Sequence, residues 1–190
     1  MKPIATFFFV FTLCLLIVLP QEIAANQEGV VTEQIQQACE HTAHKPLCLS
    51  TLSSDPNSQQ ATNLTILAQV ALSIASQNAS DITDLVKTLV NDQSLEPRVQ
   101  QALADCLDHY LDAAEQLDDS LAALTVGAHE DLKTWVHVAI GDADLCDAGF
   151  KGLKENVMFH KNKVFHQLCQ NALAIAEVSV SAAGKWIFIT

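Results

Sequence analysis

The sequence predicts an all-α fold, an up-and-down four-helix bundle with an N-terminal helical hairpin and two disulfides, on three observations. Apolar residues recur at steps of three and four along almost the whole chain, and no strand-like alternation occurs before its last few residues. The breaks between the long periodic stretches are short, which makes consecutive helices run antiparallel. Cysteines recur at positions that antiparallel pairing can bring to equal height.

The chain divides into residues 1–25, 26–56, 60–183 and 184–190. Met1 to Ala25 has the three parts of a secretory leader: Lys2 as the positive start, an apolar run from Ile4 to Leu19, and small residues at Ala24 and Ala25 before the expected cut. That run is too short to cross a bilayer comfortably, so no membrane association is expected after its removal. The remaining roughly 165 residues suit one domain with a single core.

Val30 to Ala38 and Leu47 to Leu52 read as two short helices folded over at His44, Lys45 and Pro46. The first bundle helix, from about Ala61 to Val90, carries Leu64, Leu67, Ala71, Ile74, Ile82, Leu85 and Leu89 on one face. The second opens at Glu96 and Pro97, a residue tolerated in a first turn, and turns Val99, Leu103, Cys106, Tyr110, Ala113, Leu117 and Leu124 inward before Gly127. The third places Leu132, Trp135, Ala139, Cys146 and Phe150 in the core and exits at Gly149 and Gly152. The fourth starts near Lys163 with a narrower stripe of Val164, Leu168, Ala172, Ile175 and Ser179, and residues 184–190 form an unassigned tail. Short connections also count against a helical cytokine, which needs long crossovers; a secreted helical signalling ligand is therefore a minor alternative.

Formal charge is −12, and leader removal leaves it unchanged because Lys2 and Glu22 depart together. No basic patch exists to neutralise phosphates, so nucleic acid is excluded as a partner. An acidic surface suits a basic or mixed-charge protein, and equally serves solubility. Asp105, Asp108, Asp112, Glu115 and Asp119 recur at steps of three and four along the second bundle helix. They fall within an arc of about 80°, roughly opposite Cys106, either as a solvated face or as one that steers the chain onto a basic partner.

Cys14 leaves with the leader, and Cys39, Cys48, Cys106, Cys146 and Cys169 remain, enough for two bridges and one spare thiol. Cys106 lies as far before Val126 as Cys146 lies after it, so both stand about 30 Å from the turn in an antiparallel pair. Cys169 is placed almost symmetrically with Cys146 about the third turn, so periodicity accepts that pair too. Cys39 and Cys48 flank the small hairpin and are expected to pair locally. Asn63-Leu64-Thr65 and Asn78-Ala79-Ser80 are N-glycosylation sequons, which agree with the secretory route.

Little supports an enzyme. No Gly-x-Ser-x-Gly elbow occurs. His41 and His44 lie near Cys39 and Cys48, but in an exported chain such cysteines form a disulfide far more often than a zinc site. Asp142, Asp144 and Asp147 lack the glycine and terminal glutamate of a calcium loop. Cys169 reads as a core thiol rather than a nucleophile. No catalytic residue, metal or cofactor is expected.

Several blocks together resemble the plant inhibitors of pectin methylesterase and of invertase, over about residues 30 to 180. They are Cys39-Glu-His-Thr42, Pro46-Leu-Cys48-Leu-Ser-Thr-Leu52 with Ser54-Asp55-Pro56, Ala102-Leu-Ala-Asp-Cys106, Tyr110-Leu-Asp-Ala113 and Cys146-Asp-Ala-Gly-Phe150. The resemblance implies disulfides Cys39–Cys48 and Cys106–Cys146, with Cys169 free. It implies a non-enzymatic, secreted protein of the cell wall or apoplast that binds its target enzyme non-covalently and stoichiometrically. The chain departs from the family pattern before Cys146, where His137-Val-Ala-Ile140 and Leu145 replace a Ser-Ala-Ala-Leu type segment and a threonine. Gly127 to Lys133 lacks the Pro-Lys-Phe segment frequent in invertase inhibitors, and Asp105 to Ala113 looks like the pectin-side members. Pectin methylesterase is thus the expected partner, with invertase the alternative, in which case the vacuole is a second destination. If the acidic stripe only solvates, the contact surface is expected around Lys133, Thr134 and His137 on the third bundle helix.

Overall fold

The computed structural model describes residues 29–186, with side chains described through Ser181; the expected leader lies outside that range. Seven helices occur among the described residues: α1 Glu33–Glu40, α2 Lys45–Ser54, α3 Pro56–Gln59, α4 Leu64–Val90, α5 Pro97–Val126, α6 His129–Gly149 and α7 Phe159–Trp186. The four long helices pack as a square whose sides are α4–α5, α5–α6, α6–α7 and α7–α4. The α1–α2 hairpin lies across α4 and α7. The expected all-α bundle with an N-terminal hairpin is what forms.

Local chemistry sets the helix ends. Thr32 Oγ1 accepts from Ile35 N–H at 3.3 Å and caps α1. Asp55 Oδ1 accepts from Asn57 N–H at 2.8 Å and Ser58 N–H at 3.2 Å, and with Pro56 following it starts the one-turn α3. Asn63 Oδ1 accepts from Ile66 N–H at 3.0 Å, so the first bundle helix begins at Leu64, three residues later than periodicity suggested. Gly127 ends α5 at φ 75°, a left-handed conformation that glycine adopts without a Cβ penalty. The following helix then begins at His129.

The core is rich in small residues where helices approach. Ala68, Ala71, Ala75 and Ala79 of α4 and Ala172 and Ala176 of α7 are buried, with Leu67, Leu72, Ile82, Leu103, Leu117 and Phe165 filling the wider layers. Each fully buried large side chain contributes about 1.5–3 kcal/mol. Tyr110 stacks edge-on against Phe165 at 5.3 Å between ring centroids. Its hydroxyl donates to Asn162 Oδ1 at 2.8 Å, which satisfies the phenol inside the core.

Disulfides join Cys39 to Cys48 across the hairpin and Cys106 to Cys146 across the α5–α6 pair, with Cα separations of 5.7 and 4.6 Å. Cys169 is unpaired and buried.

Four sequence expectations need correction. α7 starts at Phe159, not near Lys163, because Asn156 Oδ1 accepts from Met158 N–H and turns the chain early. Val164 is 39% exposed, and Phe165, one step on, takes the inward position. Trp135 only flanks the core, where Val136 is fully buried. The fourth bundle helix also runs through Trp186, into the segment left unassigned.

Candidate functional site

A chemically distinct surface is made by α5 and α6 together, and it starts from their seam. Cys106–Cys146 fixes one level of the pair. One turn along α5, His109 Nδ1 lies 3.4 Å from Asp142 Oδ1 of α6. Asp142 is buried, and its Oδ2 has no hydrogen-bond partner. Burial holds its carboxyl above the ordinary carboxylate range, a push that the hydrogen bond and charge of His109 oppose and nearby Asp112 reinforces.

Outward from that seam on α5 run Asp105, Asp108, Asp112, Glu115 and Asp119, all exposed. At 100° per residue the stripe begins about 40° from His109, so it borders α6 rather than α4. Asp105 Oδ1 accepts from Gln101 Nε2 at 2.9 Å, while Asp118, on the other flank, accepts from Ser76 of α4.

Outward on α6 is an apolar ridge. Val138 is 45% exposed and Leu145 56% exposed, two turns apart on one face. Gly141 stands between them, and a Cβ built there would meet nothing within 4 Å, which leaves a shallow notch open to a partner. Thr134 is exposed beside this ridge, and His137 is exposed nearer the α7 side, about 40° around the helix from Lys133. Thr134 Oγ1 donates back to Glu130 C=O at 2.8 Å. Lys133 lies at the opposite edge of α6, 3.4 Å from Glu177 of α7. The structure therefore sets the acidic stripe beside Thr134 on one two-helix face and turns Lys133, with His137 one turn on, toward α7.

Val138, Gly141 and Leu145 are the residues that sequence reasoning missed. Their signal is the seven-residue spacing of two apolar side chains outside the core stripe, interrupted by glycine; Leu145 is also where the family pattern breaks.

The aspartates once compared with a calcium loop disperse. Asp142 faces His109, Asp144 Oδ1 accepts from His166 Nε2 at 2.8 Å, and Asp147 Oδ1 accepts from Asn162 Nδ2 at 2.6 Å and Asn156 Nδ2 at 2.7 Å. No His/Cys/Asp/Glu group able to hold a metal ion occurs among the described residues. Cys169 is enclosed, and burial pushes its thiol well above the usual range, which leaves it little thiolate for attack. No described helix is long and apolar enough to cross a membrane. Of the sequon asparagines, Asn63 is exposed at the start of α4, and Asn78 is half-buried in the middle of that helix.

The family model for plant invertase/pectin methylesterase inhibitors matches residues 33–175. Pectinesterase inhibitor 6 of Arabidopsis thaliana is 30% identical over 170 residues, covering 79% of this chain and 78% of the relative. Pectinesterase 1 of the same plant is 26% identical over 149 residues, 74% of this chain and 25% of the relative. Pectinesterase inhibitor 3, also from Arabidopsis thaliana, is 26% identical over 133 residues, 64% of each chain. The chain thus spans a quarter of the first of these two and just under two thirds of the second. The crystal structure of mutant form A of a pectin methylesterase inhibitor from Arabidopsis has the same fold, with a TM-score of 0.65 at 24% identity, covering 78% of this chain and 98% of that one.

Proposed function

This chain belongs to the plant invertase/pectin methylesterase inhibitor family, and on that premise we propose that it is an exported inhibitor of pectin methylesterase that acts by forming a stoichiometric, non-covalent complex. The observation that carries this reading is the α5–α6 face, where an acidic ridge and an exposed apolar ridge lie side by side on a disulfide-pinned helix pair. Clustered charge raises the rate of encounter with a basic surface, and the apolar ridge holds the complex once formed. A pinned helix pair loses little conformational freedom on binding. The chemistry agrees, because the free thiol is buried and the acidic side chains point to separate partners.

Export through a leader at residues 1–25 delivers the chain to the apoplast and cell wall, where that enzyme's polymeric substrate resides. The names of its relatives favour pectin methylesterase, and invertase is the partner to test beside it.

Purified protein should co-elute in equimolar complex with a plant pectin methylesterase, suppress methanol release, and leave an acid invertase unaffected. Inhibition of invertase alone would transfer the same mechanism to the other enzyme. Binding to neither would remove the inhibitor reading.

A further inference from the structure

The two sequons sit in opposite structural settings, although they belong to the same helix. Asn63 is exposed, with an extended backbone at φ −157° and ψ 169°, immediately before the first turn of α4. Its Oδ1 is committed to the Ile66 N–H at 3.0 Å, and its Nδ2 makes no hydrogen bond among the described residues. An N-linked sugar is attached through Nδ2 and leaves the amide carbonyl free to accept. The glycosylated residue would therefore keep its helix cap, an interaction worth about 0.5–2 kcal/mol. Thr65, which supplies the acceptor hydroxyl of the sequon, is also exposed.

Asn78 lies mid-helix, and its Oδ1 is buried without a partner. The residue borders a groove of about 500 Å³ between α2, α4 and α7, walled by Leu47, Thr51, Ile74, Val164 and Leu168. A sugar rooted there would crowd the hairpin and α7, two elements that pack against each other and against α4.

We propose that Asn63 carries the N-linked glycan of this protein and that Asn78 stays unmodified. The proposal rests on export into the secretory pathway. The glycan projects from α4, which shares a side of the square with α5 and α7 and stands diagonally across from α6. It therefore leaves the α6 ridge uncovered, and its presence does not alter binding through that face.

The experiment expresses the full chain in a eukaryotic secretory host, once with its own residues 1–25 and once with a host leader in their place. Secreted protein is treated with a peptide N-glycosidase and mapped by mass spectrometry for Asn-to-Asp conversion. The expected result is one mobility step, conversion at Asn63 only, and complete loss of the glycan in Thr65→Ala, which removes the sequon and keeps the capping Asn63. Asn78→Gln should leave the glycan in place. A glycan that persists in Thr65→Ala, a conversion at Asn78, or an unmodified chain secreted from the host leader would overturn the proposal. Glycosylation at Asn63 with the host leader alone would refute export by residues 1–25, and with it the glycan on the natural protein, while upholding the choice of Asn63 over Asn78.

Discussion

Asn171 grips the backbone of His44 from both sides: its Oδ1 accepts from the His44 N–H and its Nδ2 donates to the His44 C=O, each at 3.2 Å. Asn171 is 3% exposed on α7, so a core residue fixes the hairpin turn to the bundle across 127 positions of sequence. Nearby, His44 Nε2 lies 2.7 Å from Gln170 Oε1. Asn171→Ala leaves the His44 N–H partly buried without a partner and its C=O with the Cys48 N–H alone, and should cost about 1–3 kcal/mol. Urea unfolding followed by circular dichroism measures that loss, and limited proteolysis should cut before α4 sooner than in wild type. Unchanged stability and cleavage would mean that apolar packing alone docks the hairpin.

The Asp142 carboxyl couples the α5–α6 seam to pH. Because burial raises its value in the folded state above that in the unfolded chain, the stability it supports is fully present below the unfolded value. That stability is lost as pH rises through the folded value. Asp142→Asn removes the charge at similar volume, so the variant should be more stable than wild type at neutral pH, with the advantage fading in acid. Denaturant midpoints recorded from about pH 4 to 7, around the ordinary carboxylate range, test this. Parallel profiles for the two proteins would remove Asp142 as the source.

On the α5–α6 face, charge and apolar contact should act on different rates. Reversing Asp108, Asp112 and Glu115 to lysine should slow association with pectin methylesterase roughly 10-fold at low salt and flatten its salt dependence. Leu145→Asp should instead speed dissociation about 10-fold, as loss of a central apolar contact does. Stopped-flow and surface-binding measurements separate the two, and far-ultraviolet spectra should stay at wild type because all four positions are exposed. Equal effects on both rates from either variant would place the contact elsewhere.

Much of the bundle was legible because helix periodicity and chain punctuation are local. Pro97 and Gly127 delimit α5 as their backbone preferences require, and Cys106 and Cys146 meet at equal distance from the turn, a pairing that periodicity allowed beside Cys146–Cys169 and that the family resemblance selected. The misses are of a different kind. Pro56 looked like the end of the hairpin, yet after a capping aspartate it opens a further turn. Val164 and Phe165 differ by a single step, and only packing against Tyr110 decides which faces inward. Val138 and Leu145 are apolar without being core, because which neighbour covers a side chain is a tertiary property. Lys133 and Thr134, neighbours in the same sequence block, face different directions, Lys133 toward α7 and Thr134 toward the ridge.

Cys169 closes the matter of fidelity in oxidative maturation. In an unfolded chain its thiol ionises as readily as any other and competes for Cys146, which stands in a nearly symmetric position about the last bundle turn. Once α7 docks and Cys169 is buried, that burial suppresses the thiolate. Exchange then stops for lack of an attacking group. The same helix docking that completes the bundle thus shields the Cys39–Cys48 and Cys106–Cys146 bridges from exchange with the spare thiol.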